Sequence, residues 1–190
     1  MPLHLREVAT TPDSAINNAR RLARQIATKE FGAAEFGGLQ TRGGEFGFGD
    51  LRPTHMRVPL AYGFITAFGR WTHPLLVALG ALANWYNGRV HTDSILLLYG
   101  LFNNTANPTI QEVFQRFGGE DLPMINMNYM NGQWEPQSYF EMGYVISPKQ
   151  GIQAQLVATG ATAALTEEIG YIGEVLARRA YLIVQSAPAP

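Results

Sequence analysis

Four histidines, His4, His55, His73 and His91, are the side chains of this sequence best suited to move a proton or hold a metal near neutral pH. They are scattered. No two stand four apart, as zinc ligands on one helix face do, and no HExxH or His-x-His cluster occurs. His91 and Asp93 lie two residues apart on one face of an expected strand, where a carboxylate could orient an imidazole base. That spacing is common by chance, so the histidines are read as structural or surface groups. The adjacent carboxylates Glu120-Asp121 and Glu167-Glu168 point in different directions as chain neighbours, so neither pair makes a glycosidase dyad, and both read as solvated loop charges. Five serines include no Gly-x-Ser-x-Gly elbow, and the absence of cysteine excludes disulfides, thiolate metal sites and a cysteine nucleophile. The Gly-rich stretch 31–50 lacks the Lys-Ser/Thr of a phosphate loop and the spacing of a dinucleotide fingerprint. No catalytic residue, no cofactor-binding residue and no metal ligand is expected.

Aromatic residues offer a different chemistry. Trp71, Trp85 and Trp134, with Tyr62, Tyr86, Tyr129 and Tyr139 among the same β segments, could stack on sugar rings if they formed an exposed row. The competing reading buries them in a core or at a subunit contact. Composition favours the second: charged residues are only 15% of the 190, below the roughly 25% of soluble domains, which leaves much neutral surface for partners to cover. Twelve of the fourteen basic residues are arginine, the side chain that tolerates desolvation between surfaces. A net charge of −1 provides no basic field for nucleic acid. No apolar run reaches the ~20 residues of a membrane span, and the N-terminus lacks the basic-then-apolar order of a secretion signal, so a soluble protein is expected.

The clearest element is a helix over 11–29, with Thr11 to cap it, Pro12 in its first turn and Asp13 at the positive end of its dipole. Ile16, Ala19, Leu22, Ala23 and Ile26 share one face, and Arg20, Arg21 and Arg24 the other. Such a helix can pack on its own domain, lie on a neighbouring subunit, or meet nucleic acid or lipid. Stretch 31–50 follows, too rich in glycine for regular structure, and its Phe31, Phe36, Phe46 and Phe48 read as anchors of an arm. From residue 51 the pattern turns to β. Segments 55–60 and 62–68 are β-forming, Asn87-Gly88 predicts a hairpin turn, and 94–102 predicts a central strand covered on both faces. Ile110, Val113, Phe114 and Phe117, behind Thr109 and Glu112 in capping-box spacing, predict a short helix over 108–117 that Gly118-Gly119 ends. A second Asn-Gly turn at Asn131-Gly132 follows an alternating strand over 125–130.

Residues 138–146, 152–157 and 170–176 close the pattern as strands broken by Ser147-Pro-Lys-Gln-Gly151 and by a run of small residues. This stretch, 138–184, resembles the closing strands of jelly-roll virion proteins of bacteriophages: an aromatic strand, a Ser/Pro-Lys turn, an alternating strand and a last strand with glycine. The resemblance implies a mainly β protein, an antiparallel β-sandwich or jelly roll with an N-terminal helix and one short inserted helix. Its expected organisation is a helical and Gly/Phe-rich arm over 1–50, a β-sandwich over 51–186 and a tail over 187–190. The implied role is a capsid, cement or portal-vertex/tail-associated subunit that assembles with copies of itself and other virion proteins, in a host cytoplasm, and ends in the virion. The alternative is a carbohydrate- or receptor-binding β-sandwich module.

Overall fold

A computed structural model describes residues 13–31, 46–57, 71–75, 80–105, 108–127, 137–158, 165–178 and 182. Its one long helix, α1 (Asp13–Phe31), keeps Asp13 in the first turn and Lys29 in the last, each at the favourable end of the helix dipole. Among the described residues ten strands follow in two antiparallel sheets: β1 (Phe46–Asp50), β2 (Met56–Arg57), β3 (Thr72–Leu75), β4 (Leu82–Val90), β5 (Ser94–Asn103), β6 (Ile110–Phe117), β7 (Glu120–Asn126), β8 (Gln137–Ile146), β9 (Gly151–Ala158) and β10 (Leu165–Arg178). The first sheet runs β1-β10-β5-β8, with β3 also pairing β10. The second runs β2-β4-β9-β6-β7. The chain is therefore mainly β, with one helix at its N-terminal side.

The two sheets share one core. Leu96, Leu98 and Leu101 of β5 and Tyr171 and Val175 of β10 meet Trp85 of β4, Val113 and Phe117 of β6, and Ile152 and Leu156 of β9. Period-two alternation sends Ile95, Leu97 and Tyr99 of β5 outward. They form a second cluster with Leu176, Phe46 and the α1 stripe Ala19, Ala23, Ala27. That explains why β5 is apolar throughout: sheet lies on one face and helix on the other, as 94–102 predicts. The alanines recur every four residues, and their short side chains let the helix axis approach the sheet closely. Gly143 in β8 completes the fit, since a Cβ there would meet the Ala19 Cβ and the Tyr99 ring at 3.1 Å. Of the three placements open to the helix, packing on its own sheet is the one observed. Leu22, grouped with the apolar face in the sequence, lies beside the alanine stripe and is 46% exposed.

Four local expectations are corrected. Residues 110–117 form strand β6, so the inserted helix does not exist: Val113, Gln115 and Phe117 alternate inward, while Gln111 is the extra residue where the pairing with β9 slips between Ile110 and Glu112. One added residue turned a period of two into apparent helical spacing at 110, 113 and 117. Gly118-Gly119, read as a helix stop, is a two-residue hairpin with φ of 60° and 96°, the left-handed conformation that a β6–β7 turn of this length requires. Asn87-Gly88 is no turn either. It lies within β4, paired to Gln153 and Ile152, and the chain reverses at 91–93 instead. Phe46 and Phe48, assigned to an irregular arm, belong to β1, which pairs β10 from Phe46↔Arg178 to Asp50↔Glu174. The Asn131-Gly132 turn, segment 62–68 and residues 58–60 lie outside the described residues.

Candidate functional site

His91 and Asp93 do not form a base and its orienting acid. Both sit at the turn between β4 and β5, and the backbone N–H of Asp93 donates to His91 Nδ1 at 3.2 Å, so the ring's acceptor is occupied by the turn itself. His55 is buried at the end of a short 3₁₀ turn, where its Nδ1 accepts from the Arg52 N–H at 3.0 Å. Burial first, then the Arg52 charge, pulls its pKa down to about 4, so the ring is neutral at pH 7. His73 lies on β3 in register with Glu167, and His4 is outside the described residues. Among the described residues no three His, Asp or Glu side chains converge as a metal site would require.

The two carboxylate pairs part company. Glu120 and Asp121 are exposed on β7, with Asp121 facing Arg116 at 3.5 Å. Glu167, expected in solvent, is 1% exposed inside β10 while Glu168 points out. The Glu167 carboxylate accepts from the Thr109 N–H at 2.7 Å, from the Thr109 hydroxyl, and from Asn103 Nδ2 at 3.2 Å. Asn103 Oδ1 in turn accepts from Thr105 N–H. These bonds pin the β5–β6 connection against β10. The signal for Glu167 was present in the sequence: Glu167, Ile169 and Tyr171 are in period-two phase, and all three face inward.

A second polar cluster lies on the opposite face of β10. Glu174 accepts two bonds from the Arg20 guanidinium, one of them from Nε at 2.8 Å, and a third from the Tyr99 hydroxyl at 2.7 Å. Burial alone would raise the Glu174 pKa, but these donors and the Arg20 charge outweigh it and hold the carboxyl below its ordinary value. The same burial and the facing carboxylate push Tyr99 up. Arg20 and Arg24 also lie over the Phe48 ring, at 5.7 and 5.5 Å from its centroid. Part of the basic helix face thus bonds to the protein's own sheet. Its chemistry is structural, a forked ion pair that fixes α1 in place.

Trp71 and Trp85 are buried, and Trp85 stacks on Tyr171 with ring centroids 5.2 Å apart. Neither can reach a sugar ring from the core. Trp134 lies outside the described residues. Among the described residues, two exposed surfaces stand out. Between α1 and the edge strand β8 runs a groove of about 480 Å³, lined by Ala15, Leu22, Gln25, Gly143, Val145 and the 57%-exposed Met142. The other is the outer face of the second sheet. Asn84 and Asn87 of β4 accept from Gln155 and Gln153 of β9 at 3.0 and 3.4 Å, and beside them stand the exposed Leu82, Phe114 and Met124. Comparisons with family models, with curated proteins and with solved structures found no match.

Proposed function

We propose that the chain is a jelly-roll structural subunit of a bacteriophage particle, which assembles with copies of itself and with other virion proteins. The observation that carries the fold is the nesting of its pairings: β1 with β10, β4 with β9, β5 with β8 and β6 with β7. Four nested antiparallel pairs are one long hairpin. The cross-pairings β10–β5 and β9–β6 join that hairpin into two sheets, which supports the jelly-roll reading. β2 and β3 decorate the connection from β1 to β4.

A jelly roll hosts several functions, so role rests on surfaces. The conspicuous polar clusters, at Glu167 and Glu174, are consumed by bonds within the fold. Among the described residues, the outer face of the second sheet sets the amides Asn84, Gln153 and Gln155 beside the exposed Leu82, Phe114 and Met124, a mixture that suits a face covered by copies of the protein. The carbohydrate-binding alternative loses two of its three tryptophans to the core. Sedimentation velocity at rising concentration, with negative-stain microscopy of the same samples, tests the proposal. Rings, shells or other closed assemblies larger than a dimer are expected. A protein that remains monomeric at every concentration, alone and mixed with the other proteins of its particle, overturns it.

A further inference from the structure

The outer face of the second sheet is laid out so that it can meet its own copy. On β6 the outward side chains are Glu112, Phe114 and Arg116, one acid, one ring and one base at alternate positions. Their register partners on β9 are Val157, Gln155 and Gln153. Phe114 stands at the centre, 37% exposed, with the two charges equidistant along the strand. A two-fold axis passing through Phe114, across the strands and in the plane of contact, reverses the strand direction of the second copy. It sets Glu112 of each protomer against Arg116 of the other, Phe114 against Phe114 and Gln155 against Gln155. An amide both donates and accepts, so Gln155 can pair with its own copy, and the Phe pair becomes the dry centre.

We infer that this face is a two-fold contact between copies of the chain, centred on Phe114 and held in register by reciprocal Glu112–Arg116 pairs. The inference rests on the reading of the protein as a self-assembling subunit and names the surface involved. Size permits it: four strands at about 4.8 Å spacing and eight residues of β9 give a face of roughly 19 by 26 Å, or about 1,000 Å² over two copies, the lower end of specific interfaces. Asp121 already stands 3.5 Å from Arg116, and both side chains are solvent-exposed, so the arginine can turn to a facing Glu112 without leaving a buried charge unpaired.

The test is a charge-reversal cycle on the full chain, read by sedimentation velocity with circular dichroism as the control for folding. Phe114→Lys, Glu112→Arg and Arg116→Glu should each weaken association about tenfold or more, because each single reversal sets like charges face to face. The double variant E112R/R116E should return to within about threefold of the parent, since only a two-fold contact exchanges these two positions between copies. Association that ignores all four variants overturns this face and leaves the assembly reading standing. Single-variant losses that the double does not recover overturn the two-fold register. A parent that stops at a dimer, weakened by the singles and rescued by the double, supports the face; a parent monomeric at every concentration overturns the face, and one that stays monomeric when mixed with the other proteins of its particle overturns the assembly reading as well.

Discussion

Glu167 and Glu168 are adjacent and identical in type, yet one is sealed in the fold and the other is in water. Glu167→Gln keeps one oxygen for the Thr109 N–H and hydroxyl but sets an amide N–H against Asn103 Nδ2, donor against donor, and a loss of about 1–3 kcal/mol in unfolding free energy is expected. Urea denaturation with an unchanged slope measures it; a variant as stable as the parent would show that the β5–β6 connection is held by other means. His55 gives the pH dependence. Its folded pKa of about 4 lies below the unfolded value of 6.5, so the unfolded chain takes the proton first. Stability from this group is complete above pH 6.5 and declines as pH falls toward 4, by on the order of 3 kcal/mol. In His55→Asn, whose side-chain oxygen can still accept from the Arg52 N–H, the urea midpoint should fall less between pH 7 and 4.5 than in the parent. Equal falls in both proteins would place the titration elsewhere. Neither residue's burial follows from its type. Phase along the strand reveals Glu167, and nothing local reveals His55.

At the scale of elements, legibility followed the regularity of the alternation. β9 was readable because its apolar residues keep one phase, β5 because an unbroken apolar run marks a strand covered on both faces, and β8 and β10 because Pro, Gly and small residues bound their β-forming runs. β6 was not, because its extra residue at Gln111 imitates a helix, and β4 was not, because Asn-Gly is tolerated inside a strand whose neighbour supplies the bonds. α1 was readable as a helix but not as to its seat, which depends on a glycine far along the chain. Gly143→Val should displace Ala19 and the Tyr99 ring and cost about 1–3 kcal/mol of helix docking. Hydrogen exchange should then speed roughly ten- to a hundredfold in α1 while the β5 amides stay protected. Unchanged exchange in α1 would mean that the helix does not depend on this close approach.

For the whole molecule, the pairing of first strand with last was beyond the reach of the sequence, since partners so distant leave no local trace. The same remoteness governs folding: β1, β4 and β5 each wait for strands made much later in the chain, so refolding is expected in milliseconds to seconds. Stopped-flow tryptophan fluorescence can follow it, because Trp85 is buried against Tyr171 only in the folded protein; completion within microseconds would contradict the nested order. The pairing of Phe46 with Arg178 also has a mechanical meaning. The start of β1 and the end of β10 lie at the same end of one ladder, so tension entering the sheet at those two residues opens it one rung at a time rather than loading all rungs in shear. Such a ladder yields at low force. A particle built from these subunits would have to carry internal pressure through faces between neighbours, not along the chain.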